Sequence, residues 1–150
     1  MKSRKHERPR VVIVNRCFIL NREGQILLLK RNSEEGKWSA GLWESPGGKL
    51  DEGQDISNAL EREVVEETGL LIRSKSRLSF IDSWILSAGP YKGLPYILIF
   101  GVGELEAGEV RLSEEHTDHL WIKPDLAFDM ELTPETRKAL IALKPHLIAN

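Results

Sequence analysis

The spacing of apolar residues changes several times along this chain, and each change marks an element. Val11 to Leu20 is apolar and β-branched and predicts a strand. Asn21-Arg22-Glu23-Gly24 has the residues of a turn, and Gln25 to Lys30 resumes as a second strand, which makes a hairpin. Arg31 to Gly41 is polar and loop-like, and Trp43 to Gly48 leads into the glycine turn Pro46-Gly47-Gly48. The period then becomes helical from Asp55 to Thr68, with Asp51 or Asp55 as the cap and Gly69 as the left-handed stop. Leu70 to Leu86 is rich in strand formers, residues 87–93 form a loop, and Pro95 to Leu105 is a further strand in which Gly101 and Gly103 suggest a bulge. Leu120 to Ile122 is a short strand after an acidic, histidine-bearing loop. Thr133-Pro134 opens a last helix that should run to about Leu143, ahead of Pro145. Strands first and last with helices between predict a mixed sheet covered by helices, in an α+β or three-layer α/β/α arrangement.

The central helix carries an unusual placement of charge. At about 100° per residue from Ile56, Leu60 and Val64 form an apolar stripe. Glu67 falls on the continuation of that stripe, Glu63 at its edge and Glu66 farther round, whereas Glu61 lies off it. Acidic residues usually face solvent, and carboxylates beside a buried stripe need a partner. Arg62 can reach Glu66 at i+4, but one arginine does not neutralise three acids. A hard divalent cation, Mg2+ or Mn2+, suits a site made of oxygen ligands, and it can also hold the phosphates of an anionic substrate.

Composition narrows the function classes. The chain has 150 residues, 41% hydrophobic and 29% charged, enough for one domain with a real core. A net charge of -2 exerts no general pull on nucleic acid or anionic membranes. Seven acids against the single base Arg62 lie within residues 51–67. Residues 1–9 read as a flexible basic tail ahead of a single domain, residues 10–150. No apolar run has the length of a membrane helix, and no hydrophobic stretch after the basic residues resembles a signal peptide. The lone Cys17 has no internal disulfide partner and is expected to pack in the core. A cytoplasmic protein is expected.

Gly48, Arg62, Glu63, Val64, Glu66, Glu67, Gly69 and Leu70 are in register with the box G-x5-E-x7-R-E-U-x-E-E-x-G-U, where U is a bulky aliphatic. The chain therefore resembles the Nudix hydrolases, of the MutT-like kind, over about residues 10–145. Gln54 departs from the pattern, standing where the family has a glutamate. The resemblance implies an α/β/α sandwich in which the box forms a loop-helix-loop. It also implies hydrolysis of a nucleoside diphosphate linked to another moiety, by water attack on phosphorus, with Mg2+ or Mn2+. Carried over by position, Glu63, Glu66 and Glu67 would bind metal together with the carbonyl of Gly48. Arg62 would orient the glutamates. Glu63 is the base in some members. A late acid or histidine often contributes, and Glu115 is the choice here.

Other residues carry weaker signals. Lys30 and Arg31 end a strand where they can reach phosphate, with a solvated strand end as the plain alternative. Among the aromatics most are core, and Trp43, Trp84 and Tyr91 are the candidates for stacking a nucleobase because they border loops. Trp38 is a weaker candidate, and the stretch between Gly36 and Gly48 reads as an insertion that shapes specificity. His116 and His119 lie three apart but lack further zinc ligands in sequence and are read as surface loop histidines. Three other functions compete: a catalytically weak nucleotide-sensing module, an isomerase of allylic diphosphates needing Cys17, and an RNA-processing role using the basic tail. The small-molecule hydrolase is favoured, with nucleic acid and membrane partners disfavoured. Exposed sheet edges are compatible with a homodimer.

Overall fold

The structure, a computed structural model, describes residues 8–33 and 40–148, with the backbone alone at 76–78. Most of the basic tail and Trp38 lie outside the described residues. The hairpin forms as expected, with β1 at Val12–Leu20 and β2 at Ile26–Arg31. Asn21 closes its turn, its side-chain Oδ1 accepting from the backbone N–H groups of Glu23 and Gln25. The two strands pair only at Leu20 and Ile26, beside the turn. Beyond that point other segments come between or beside them. β3 (Trp43–Glu44) pairs with β2, and β4 (Gly47–Lys49) pairs with β1. The separation of β1 and β2 is what makes room for a cleft.

One mixed sheet results. β1 runs parallel to β6 (Pro95–Ala107), which pairs antiparallel with β5 (Leu71–Ile85), while β7 (His116–Ile122) pairs antiparallel with β2. Alternate residues feed two cores. One sheet face sends Val14, Phe18, Leu28, Leu98 and Phe100 toward α2 (Pro124–Ala127) and α3 (Pro134–Leu147). The other sends Cys17, Ile19, Leu27 and Leu29 against Leu60 and Val64 of α1 (Ile56–Thr68). No helix among the described residues is long and apolar enough to cross a membrane.

Local chemistry explains the boundaries of α1. Asp55 caps it by accepting from the Asn58 N–H at 3.0 Å, and Gly69, at φ 74°, ends it. Asn15, buried in β1, donates to the Ile56 carbonyl at 2.8 Å and so fixes the first turn of α1 against the sheet.

Three expectations are corrected. The last helix continues through Pro145 to Leu147. Proline removes one N–H there, and its would-be acceptor, Ile141, lies on the solvent side of the helix. The irregularity anticipated at Gly101 and Gly103 lies on the facing strand: β5 spends residues 76–78 between Lys75, opposite Val102, and Ser79, opposite Gly101. The histidine-bearing loop is strand, because β7 starts at His116.

Glycine at position 47 is dictated by space as well as conformation. A Cβ there would lie 2.1 Å from the Asn15 carbonyl oxygen, on the strand that β4 pairs with. At Gly53, φ 84°, a Cβ would meet nothing within 4 Å. Gly53→Ala should therefore cost only the left-handed penalty of about 1 kcal/mol. Gly47→Ala should cost several times that, because β4 must leave β1. Urea denaturation of the two variants measures the difference.

Candidate active site

The site is assembled at the open end of the β1–β2 hairpin. Val64 lies fully within the core on α1, and Glu67, one turn later on the same stripe, is 5% exposed. Its Oε1 accepts from the Gly47 N–H at 2.8 Å. That is the single hydrogen bond it makes among the described residues. Burial pushes its carboxyl up to about 8. The Gly47 N–H and Arg16 work against that rise, and the charges of Glu115 and Glu44 add to it. An acid held in this way is short of positive charge.

His116 and Glu44 complete the buried part. His116 Nε2 lies 2.9 Å from Glu44 Oε2, and its Nδ1 lies 3.7 Å from Glu67 Oε2. A bulge brings the histidine there. Lys30 faces Asp118 while the next residue, Arg31, faces His116, so Thr117 is an extra residue in β7. Strict alternation from Leu120 would aim His116 at the α3 side. The inserted residue turns it to the α1 side, where Glu67 waits. The reading of His116 as a surface histidine is thus corrected: it is 5% exposed, whereas His119 is exposed. A bulge has no residue signature in this sequence, and alternation alone pointed the wrong way.

Glu44 is held by two arginines. Arg31 Nη1 donates to both of its oxygens at 3.2 and 3.0 Å, and Arg16 Nη1 lies 3.4 Å from Oε1 while donating to the Ser45 carbonyl. Burial pushes the Glu44 carboxyl up, but Arg16, His116 and Arg31 together hold it below the usual carboxylate range. Arg16 also approaches Glu135 on α3 at 3.9 Å. It was not among the residues singled out from sequence, where a lone arginine in an apolar strand gives no sign of two carboxylate partners.

These groups surround a cleft of about 250 Å3 that brings Arg16 and Arg31 together with Glu67, Glu115 and the Gly47–Gly48 backbone. Donor atoms of Glu67, Glu115 and His116 lie within 4.8 Å of one another. Asn32 fixes the Glu115 loop to the end of β2, its N–H donating to the Glu115 carbonyl at 2.9 Å. Glu63 runs beside Gly48, where a Cβ would come within 2.9 Å of its Oε2, and its carboxyl is raised by burial and by Glu66 and Glu115. Glu66 is mostly exposed. Arg62 bridges Glu63 and Glu66, at 3.5 Å from each. Gln54 closes the box loop, its side-chain oxygen accepting from the Asp51 N–H.

The aromatic candidates lie elsewhere. Trp43 packs against the α3-side core with Lys30 over its ring. Trp84 is stacked on Tyr96, with centroids 4.5 Å apart. Tyr91 lines a separate groove of about 820 Å3 beside the box loop, where Lys49 donates to its hydroxyl. That groove is larger but lacks the buried carboxylates. Cys17 is fully buried with its thiol pushed up to about 12 by burial, which fits packing rather than catalysis.

A NUDIX domain matches residues 10–143. A relative from Escherichia coli described as nucleoside triphosphatase NudI is 31% identical over 129 residues, covering 83% of this chain and 91% of the relative. Among solved structures, a MutT protein from Methanosarcina mazei superposes with a TM-score of 0.74 at 27% identity, covering 93% of this chain and 96% of that one. A MutT NUDIX hydrolase from Burkholderia pseudomallei superposes at 0.67 with 30% identity, covering 90% and 98%. With Glu63 and Glu67 beside the glycine turn and residues 10–143 matched, this chain belongs to the Nudix family and is a hydrolase of phosphorus-containing anhydrides.

Proposed function

We propose that the chain is a Mg2+- or Mn2+-dependent pyrophosphohydrolase of nucleoside triphosphates or related nucleoside diphosphate derivatives. The observation that carries this reading is the buried, under-compensated Glu67 in a cleft whose other lining groups include two arginines. The residues fit a divalent cation. Glu67 and Glu115 supply carboxylate oxygens beside a buried nitrogen that has no other partner among the described residues. Glu63 lies beside Gly48 at the edge of this group, while Glu66 is exposed and is joined to Glu63 through Arg62, 3.5 Å from each. When bound, a divalent cation neutralises charge on phosphoryl oxygens and lowers the pKa of water.

The chain's own groups divide the remaining work. Gly47 fixes one oxygen of Glu67 and leaves the other toward the cleft. Arg16 and Arg31, each bound to Glu44 through Nη1, are held rigidly enough to receive non-bridging phosphate oxygens. Glu63, beside Gly48 and outside the Glu67–Glu115–His116 group, can accept the proton of the attacking water. The separate groove beside the box loop, with Lys49 and Tyr91, is the place proposed for the nucleoside. Phosphate release from a panel of nucleoside triphosphates, run with and without Mg2+ in labelled water, tests the reading. Label should enter a phosphoryl product only when metal is present.

Two outcomes follow for Glu67. Glu67→Gln keeps an acceptor for Gly47 but removes the charge, so turnover should fall by about 100-fold or more. The metal-free variant should melt several degrees higher than the parent at pH 8, because a costly buried charge is gone. Scanning calorimetry and steady-state kinetics check the two halves. The second outcome concerns pH. A carboxyl raised from 4.5 to about 8 is largely protonated below pH 8 in the metal-free fold, so cation and proton compete for it there. Metal-free stability from this group is greatest below pH 4.5 and declines as pH rises toward 8. Apparent Mg2+ affinity should run the other way, weakening by about tenfold per unit as pH drops below 8. Calorimetric titration with Mg2+ across pH 6 to 9 measures the slope.

A further inference from the structure

We propose that Nδ1 of His116 is a nitrogen ligand to the divalent cation of this site, held in that role by Glu44, so that the site favours Mn2+ over Mg2+. The inference rests on the metal-dependent reading above. It departs from the oxygen-only ligand set that the box alone suggests.

The geometry sets the tautomer. Glu44 is gripped by Arg16 and Arg31 at 3.0–3.4 Å, so it is an ionised acceptor with no proton to give. The 2.9 Å contact to His116 Nε2 therefore requires the histidine N–H to lie on Nε2. In the neutral ring the lone pair is then on Nδ1. That atom is buried and has no hydrogen-bond partner among the described residues. A histidine serving only as core packing has both nitrogens satisfied, since an orphaned buried polar atom costs about 1–3 kcal/mol.

Nδ1 faces the buried carboxyl of Glu67. Glu67 Oε2 lies 3.7 Å away, and an oxygen of Glu115 completes a set within 4.8 Å. At that separation no hydrogen bond joins Nδ1 to Glu67, whichever atom carries a proton. The distance suits two ligands of one cation, which lie roughly 3–4 Å apart when each bond is about 2.1 Å. Carboxylate, imidazole and a third group in line is the arrangement in which a metal-bound histidine gives its other N–H to a carboxylate. Mg2+ takes oxygen ligands and gives up its waters reluctantly, so an imidazole nitrogen is a poorer ligand for it than for Mn2+.

The test uses the full chain loaded with Mn2+ alone, examined by pulsed electron paramagnetic resonance, with Mn2+ and Mg2+ titrations beside it. Wild type should show strong nitrogen hyperfine coupling to Mn2+, and labelling the histidines with the heavier nitrogen isotope should alter it. In His116→Gln the coupling should vanish. Mn2+ affinity should fall by about 10–100-fold, and Mg2+ affinity by much less. Mn2+ bound to wild type without nitrogen coupling overturns the inference and leaves the hydrolase reading intact. Failure of wild type to bind either cation overturns both. The wild-type spectrum decides the matter even if the variant does not fold.

Discussion

Everything at this site follows from one buried carboxyl whose ionised form the protein compensates only in part. Glu67 occupies a position on α1 that packing would give to an aliphatic residue, and one backbone N–H is its only hydrogen-bonded partner among the described residues. Taking a carboxylate out of water costs several kcal/mol unless something repays it. Arg16 offsets only part of that cost, because it and Arg31 are drawn to Glu44. The fold thus separates its charges into a satisfied half, around Glu44, and an unsatisfied half, around Glu67. A cleft with that polarity is suited to a cation on one side and phosphate oxygens on the other.

The scaffold creates the separation by simple means. β1 and β2 part after a single pair, and the glycine turn fills the gap because residue 47 has no side chain. Asn15 ties α1 to the sheet, which sets the depth of Glu67. A one-residue bulge in β7 then turns His116 toward the same point. Each device is local, and together they converge on a few ångströms of space.

Much of this was legible in the residues. The stripe of Ile56, Leu60 and Val64 placed Glu67 against the core, and its burial follows. Asp55, Gly69 and Thr133 took their capping roles because capping chemistry is local. The hairpin and the long strands followed from β-branched runs. What escaped were features that depend on register between distant segments. His116 needed the bulge opposite Arg31, and Arg16 needed Glu44 and Glu135, 28 and 119 positions away. Trp43 and Trp84 bordered loops as expected, yet their rings turned to the α3-side core, a choice made by tertiary packing.

The most direct measurement is the melting temperature of rigorously metal-free protein at pH 8, before and after addition of Mn2+. A cation that relieves the Glu67 charge should raise it markedly in wild type and hardly at all in Glu67→Gln. An equal response in both proteins, or none in wild type, would contradict the claim that this buried carboxylate is what the metal satisfies.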